Sequence, residues 1–327
     1  MADLVDSRWS EAELHQWLRA ELSVDGAGRK AGTHDAAVLA REQGASVLCC
    51  DRTEEGVHFE SGADPIAIGW KAAARALSDL AATAATPRAL LLSLAAPESR
   101  SLVWMQAVIR GVMNAAASQG AFLAGGDLTM TIGPVSLVVS AFGSFAPADE
   151  SSPPPGRDRA KPGQKLFVTG LIGGSLLGRH LKIEPRVVEG LELHKAGATA
   201  MMDISDGLAI DASRMAIASN VILEIASLPI HRDAYKRAEE TGQSPVHHAL
   251  FDGEDHELLA TMDSAAHDRL GPVLAMPIGQ VLAATPTRPA GVYIPSAWLG
   301  DDVAEPDSQG IWTRLDPKDA RGWSYGS

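Results

Sequence analysis

Apolar and polar positions along the chain change period several times, and each change marks an element. Ser10 with Glu13 forms a capping-box pair that predicts an opening helix in SEAELHQWL. The apolar run ASVLCCD, ending on an acid at Asp51, reads as a strand. Asp64 and Pro65 suit the N-cap and first turn of an Ala-rich helix reaching about Thr83. PRALLLSLAA reads as a strand, LVWMQAVIRGVMNAAAS as an amphipathic helix, and AFLAG and VSLVVSAFGSF as further strands. In the second half KLFVTG is a strand, and a glycine-rich turn from Gly170 to Gly178 leads into a helix. TAMMDIS reads as a strand ending in Ser205, Asp206 and Gly207, with GLAIDASRMAIA as the helix after it. VILEIASLPI, HELLATM and short runs near Pro277 and Val292 predict more strands. Helices and strands mix in both halves without a fixed repeat, so the fold class is α/β (α+β).

The stretch APADESSPPPGRDRAKPG, Ala146 to Gly163, holds three consecutive prolines and can continue neither a helix nor a central strand. It predicts an N-terminal domain over 1–148, a Pro-rich linker over 149–163 and a C-terminal α/β domain over 164–327. A chain of 327 residues also exceeds one ordinary core.

A net charge of -13 argues against nonspecific nucleic-acid binding, which requires Lys and Arg to neutralise phosphates. No apolar run is long enough to span a bilayer, and MADLVDSRWSEAELHQWL lacks a basic n-region and an apolar h-region. A cytoplasmic protein is expected. Cys49 and Cys50 are adjacent, so on a strand they point to opposite faces; both read as buried, reduced thiols.

Six aspartates stand in small-residue settings: Asp35 in HDAA, Asp51 in CCDR, Asp79 in LSDLAA, Asp127 in GGDLT, and Asp203 and Asp206 in MMDISDGL. Turns and helix N-caps account for single aspartates. The set points to a shared site for Mg2+ and phosphate, because Mg2+ takes oxygen ligands from carboxylates, water and phosphates. Gly125 and Gly126 before Asp127 read as a turn after a strand where backbone can approach a phosphate. Asp203-Ile204-Ser205-Asp206-Gly207 lies between strand and helix, where helix-start amides favour phosphate; an N-cap by Ser205 or Asp206 is the competing reading. Asp252 to Glu257 is a dense acidic turn, either solvated or lining a site. His58, in EGVHF, is equally a satisfied core histidine. P-loop, GxGxxG, HExxH and GxSxG signatures do not occur.

Read in order, HDAAVL, CCDRTEEGVHF, IGWKAAARALSDLAATAATP, GGDLT, GRDRAKPG with LFVTG, MMDISDGLAID, FDGEDHELL and a terminal RGW resemble the thiamine-monophosphate kinase family, within the aminoimidazole-ribonucleotide synthetase superfamily. The resemblance covers nearly the whole chain. It implies a two-domain aminoimidazole-ribonucleotide-synthetase-like fold, an N-terminal sheet pairing across a homodimer, and ATP bound near that interface. It further implies direct in-line transfer of the γ-phosphoryl of ATP to thiamine monophosphate, with several Mg2+ ions; no covalent phosphoenzyme is expected, and no covalent or general-base residue is assigned. By position, Asp35, Asp51, Asp79, Asp127, Asp203 and Asp206 match the metal-binding aspartates. Gly125, Gly126, Arg157 and Ser205 match the nucleotide-binding positions; His58, Glu254 and Trp323 match those around the thiamine phosphate.

The chain departs from the family pattern at several places. Thr33-His34-Asp35 stands for GDD, and Cys49 and Cys50 replace hydroxyl residues. Ala76 stands for asparagine, Ala84 for glycine, Asp252 for the first glycine of GGEDYE and His256 for its tyrosine. Another phosphate acceptor, or a non-catalytic sensor of thiamine phosphate or ATP, is the alternative these departures leave open.

Overall fold

The computed structural model describes residues 9–21, 44–146, 153–267, 270, 275–298 and 311–315. The described parts of Met1–Leu80, Thr86–Ala146 and Leu181–Ile183 form one compact unit, and those of Ala81–Ala85, Pro147–His180 and Glu184–Ser327 form a second.

The first unit carries α1 (Glu11–Glu21), β1 (Ala45–Glu54), α2 (Pro65–Ala82), β2 (Thr86–Ala96), α3 (Leu102–Ser118), β3 (Phe122–Met130) and β4 (Ser136–Phe145). The capping signals work as the sequence predicts. The Glu13 N–H donates to Ser10 Oγ at 3.3 Å, whose hydroxyl donates to Glu13 Oε2 at 2.8 Å. The Ile66 N–H donates to Asp64 Oδ1 at 3.3 Å. The strands form one sheet in the order β1-β4-β2-β3, with β2 and β3 parallel across the α3 crossover and the other pairs antiparallel.

Alternation divides this sheet into two faces. Leu90, Leu92, Leu94, Leu137 and Val139 are buried on one. On the other the register aligns Leu48 with Phe142, and Cys50 with Ser140 and Leu91. Leu48 is 73% exposed and Leu91 44%; Cys50 is exposed and Cys49 only partly buried, where the sequence predicts burial of both thiols.

GGD does not follow a strand; it lies inside β3, with Gly126 paired to Leu92 and Asp127 to Ser93. A Cβ on Gly126 would meet Leu92 O at 1.8 Å, so strand-to-strand approach, and not a phosphate turn, explains that glycine.

The second unit contains β5 (Lys165–Val168), α4 (Val187–Lys195), β6 (Ala200–Asp203), α5 (Leu208–Ser219), β7 (Val221–Ile225), α6 (Arg232–Thr241), α7 (Pro245–Phe251), β8 (Leu258–Met262), α8 (Ser264–His267), β9 (Met276–Ala283), β10 (Gly291–Pro295) and β11 (Trp312–Leu315). Its sheet runs β11-β10-β7-β9-β5-β8-β6; only the β10/β7 pair is parallel. Leu166, Val168, Met202, Leu223, Leu259 and Val292 join Leu208, Ala212 and Met215 of α5 and Leu250 of α7 in one buried apolar cluster. From Pro153 the proline-rich stretch is tied to this unit. The Ala160 N–H donates to Ser219 Oγ, that hydroxyl donates to Arg157 O, and the Gly163 N–H donates to Val281 O, each at 2.9 Å.

Three expected boundaries shift. The Gly170–Gly178 turn leads into two 3-10 turns, Ser175–Leu177 and Arg179–Leu181, and not into a helix. β6 ends at Asp203, and β7 stops at Ile225. Helix α6, unpredicted, buries only Ala234, so its sequence holds no apolar stripe to read. Among the described residues, no helix is long and apolar enough to cross a membrane.

Candidate functional site

In the second unit β6 delivers Asp203, and residues 204–207 lead into α5. Three successive amides here are engaged. The Ile204 N–H donates to Glu257 O at 2.8 Å, and the N–H groups of Ser205 and Asp206 both donate to Asp211 Oδ2 at 2.9 Å. The N-cap is Gly207, at φ 106, without a side-chain cap, so neither Ser205 nor Asp206 caps the helix. The amides that sequence reasoning offered to phosphate are taken by an internal carboxylate one turn into α5. Asp211 is completely buried and its Oδ1 accepts from Arg214 Nη1 at 2.8 Å, an atom that also lies 2.5 Å from Asp206 Oδ2. Burial, and then the charges of Asp203 and Asp206, push the Asp211 carboxyl up to about 7.

The acidic turn at 252–257 is folded inward. Glu254, Asp255, His256 and Glu257 are all buried. It is laced to the Asp203 loop by Glu254 N–H to Ser205 O (2.7 Å) and His256 N–H to Ile204 O (2.8 Å). Glu254 and His256 hold left-handed φ values of 57 and 51, a conformation that surrounding bonds must enforce in non-glycine residues. The His256 ring stands between two carboxylates, Nδ1 at 3.2 Å from Asp203 Oδ2 and Nε2 at 3.3 Å from Glu254 Oε2. Burial disfavours the charged ring, but its hydrogen bonds to the Asp203 and Glu254 carboxylates raise its pKa to about 9, so the imidazolium is the neutral-pH form.

The other acids of the turn hold the scaffold. Glu257 takes a bidentate grip from Arg186, at 2.6 and 2.9 Å, and a hydrogen bond from Thr169 Oγ1 at 2.6 Å. Asp255 accepts from Gly173 N–H and from Arg179 Nη2, and Asp252 accepts from Gly174 N–H. The glycine-rich turn is therefore an anion nest filled by the chain's own carboxylates.

In the first unit Asp51, on β1, lies with Asp79, on α2, beside Cys49. Burial and then the charges of Asp79 and Asp51 push that thiol far up, and its Sγ donates to Ala76 O at 3.1 Å. A thiol so placed is protonated and inert, and no ligand for Mg2+. Asp51 Oδ1 lies 4.0 Å from Arg75 Nη2. The register puts Asp51 in the row of Val139, Leu92 and Gly126, and exposed Asp127 in the next row with Val138 and Ser93, hence on the opposite face. His58 is buried; its Nδ1 accepts from Glu54 N–H at 3.0 Å and its carbonyl from Lys71 Nζ at 2.7 Å.

Arg157 is exposed in the second unit, while Gly125 and Gly126 belong to the first. Asp35, His34 and Trp323 lie outside the described residues. Among the described residues no three His, Cys, Asp or Glu side chains are placed to hold an ion by themselves. The structure thus brings together Asp203, Asp206, Ser205 and Glu254, and separately sets Asp51 and Asp79 around one thiol. Sequence reasoning passed over Asp211 and Arg214. Their signal was a lone acid inside the apolar stretch GLAIDAS, which a helix can tolerate only with partners.

Residues 33–145 match the family described as "AIR synthase related protein, N-terminal domain". A thiamine-monophosphate kinase of Rhodopirellula baltica is 41% identical over 217 residues, 65% of this chain and 67% of the relative. The thiamine-monophosphate kinase of Aquifex aeolicus is 33% identical over 260 residues, 72% of this chain and 81% of the relative. Among solved structures, AaThiL complexed with AMPPCP and TMP matches with a TM-score of 0.70 at 29% identity, covering 85% of this chain and 86% of that one. The two-sheet fold and these identities agree, and the chain belongs to the thiamine-monophosphate kinase family.

Proposed function

We propose that this protein phosphorylates thiamine monophosphate to thiamine diphosphate, with ATP as phosphoryl donor. The observation that carries the reading is the pair Asp203 and Asp206, held on a loop whose Ile204, Ser205 and Asp206 amides are engaged, in a chain of this family. Phosphoryl transfer depends on positioning and charge stabilisation far more than on covalent chemistry, and a rigid carboxylate pair serves the first.

Mg2+ fits the side chains present. The donors are hard carboxylate oxygens, and Asp203 and Asp206 lie near enough to Asp211 to raise its pKa, a concentration of negative charge that a cation relieves. Asp203 and Asp206 would hold one such ion in the second unit, and Asp51 with Asp79 another in the first; Asp127, on the opposite face of that sheet, and Asp35 are the remaining positions of the family set. When bound, Mg2+ would neutralise phosphate oxygens. His256 keeps Asp203 and Glu254 aligned, and Arg157 supplies an exposed guanidinium for a phosphate. Transfer is direct and in line, without a phosphoenzyme.

A homodimer is part of the reading, supported by the open sheet face bearing Leu48, Phe142 and Leu91. The test is to incubate the protein with ATP, Mg2+ and thiamine monophosphate and to look for thiamine diphosphate by chromatography, with thiamine as control acceptor. Product from the monophosphate alone supports the reading. ATP binding without product points to another acceptor or a sensor.

A further inference from the structure

We propose that Asp211 is a positioning residue for phosphoryl transfer, acting as a carboxylate clamp that fixes the Asp203–Asp206 loop through the amides of Ser205 and Asp206. The inference rests on the reading of Asp203 and Asp206 given above. One oxygen, Oδ2, accepts both amides at 2.9 Å, and the other, Oδ1, accepts from Arg214 Nη1 at 2.8 Å. Arg214 in turn lies 2.5 Å from Asp206 Oδ2, so one buried side chain governs both the backbone of the loop and the direction of the Asp206 carboxylate. The clamp closes on itself, because the Asp211 N–H donates to Gly207 O at 3.0 Å.

The opposite edge of the loop is held by Glu254 and His256, whose N–H groups donate to Ser205 O and Ile204 O. Those bonds run to another turn, itself held by side-chain pairs, whereas Asp211 belongs to α5, whose Leu208, Ala209, Ala212 and Met215 are locked in the core. The loop therefore takes its position from the core through Asp211. Removing the acceptor leaves two amides without a partner beside a helix start, and the loop must move to satisfy them.

The role assigned is acceptance by the carboxylate oxygens and not its charge, and that separates the variants. Asp211→Asn keeps an oxygen to accept the two amides but turns an NH2 toward Arg214, losing that bond; Asp211→Leu removes both acceptors. Amide exchange followed by NMR should show slow Ser205 and Asp206 amides in the wild type and in Asp211→Asn, and fast ones in Asp211→Leu. In steady-state kinetics Asp211→Asn should lose no more than about tenfold in kcat, while Asp211→Leu should lose about 100-fold with the smaller change in KM.

Two results overturn the proposal. One is an Asp211→Asn protein that keeps its slow amides yet loses as much turnover as Asp206→Asn, which would make the charge or its pairing with Arg214, and not the grip on the amides, the essential feature. The other is freely exchanging Ser205 and Asp206 amides in the wild type. If Asp211→Leu does not fold, the Asn variant and the wild-type exchange still decide the matter. If the wild type makes no thiamine diphosphate, the functional reading fails while the exchange data continue to test the clamp.

Discussion

The Gly173 N–H points at both carboxylate oxygens of Asp255, 3.0 Å from each. Gly173 sits at φ +90, a region glycine enters freely, and a Cβ there would lie 2.7 Å from Ala249 Cα. The same carboxylate accepts from Arg179 at 2.8 Å. This clasp fastens the glycine-rich turn beneath the acidic loop that carries Glu254 and His256.

Gly173→Ala meets two penalties at once, a left-handed backbone and a clash with main chain that cannot step aside. The expected cost is about 2 kcal/mol or more, read as a lower midpoint in urea unfolding. An unchanged midpoint would mean that α7 yields where the structure has it fixed.

Asp255 also predicts a pH dependence. Burial pushes its carboxyl up from 3.8 to about 6, against the pull of Arg179 and Gly173. The folded state then holds this proton more tightly than the unfolded state, so the contribution is fully present below about pH 4 and is lost as pH rises through 6. Its slope is at most about 1.4 kcal/mol per pH unit. The difference in unfolding free energy between wild type and Asp255→Asn should fall across that window and be flat above it. A difference independent of pH between 4 and 7 would contradict the assignment.

Ala84 tests a departure visible in the sequence alone. The sequence resemblance leads one to expect glycine here, and the alanine is held at φ 52 with 1% of its surface exposed. A left-handed alanine costs about 1–2 kcal/mol, partly offset by the greater unfolded-state entropy of glycine. Ala84→Gly should therefore stabilise by up to about 1 kcal/mol, seen as a raised thermal midpoint. A lowered midpoint would mean that the lost methyl contact matters more than the strain.

The elements legible in advance were those whose pattern is fixed by burial on one side: β1, β2, β4, α2, α3 and α5 all follow their apolar spacing. The turn chemistry was legible too where side chain and backbone are neighbours, as at Ser10 with Glu13. What escaped depends on partners distant in sequence. Asp255 binds an amide 82 residues away, and Glu257 binds an arginine 71 residues away, so neither could be told from a solvated acid. Gly126 mimics a phosphate turn because its true reason is the carbonyl of Leu92 on the neighbouring strand. Asp211 escaped although its two amide partners are only five and six residues off, since nothing local says which way a helical acid faces.

The proposed homodimer can be tested at Leu48. Its side chain is 73% exposed on β1, in the row that holds Phe142. Leu48→Asp should leave folding nearly unchanged, within about 0.5 kcal/mol, and shift sedimentation toward the monomer. A variant that sediments as the wild type does would place any dimer contact elsewhere.

Asp127→Asn and Asp206→Asn separate chemistry from stability. Asp127 is an exposed side chain on an edge strand, and its loss should alter unfolding by less than about 0.5 kcal/mol. Asp206 gives up its ion pair with half-exposed Arg214, a loss of about 1 kcal/mol at most. Neither substitution opens a cavity or strands a buried charge, so both proteins should fold. If the carboxylates serve a cation that neutralises phosphate, each variant should nonetheless lose about 100-fold or more in kcat at saturating thiamine monophosphate, and raising Mg2+ should recover only part of it. Near wild-type turnover at saturating Mg2+ in either variant would remove that position from the metal site. Loss in Asp206→Asn alone would confine the chemistry to the loop that Asp211 holds.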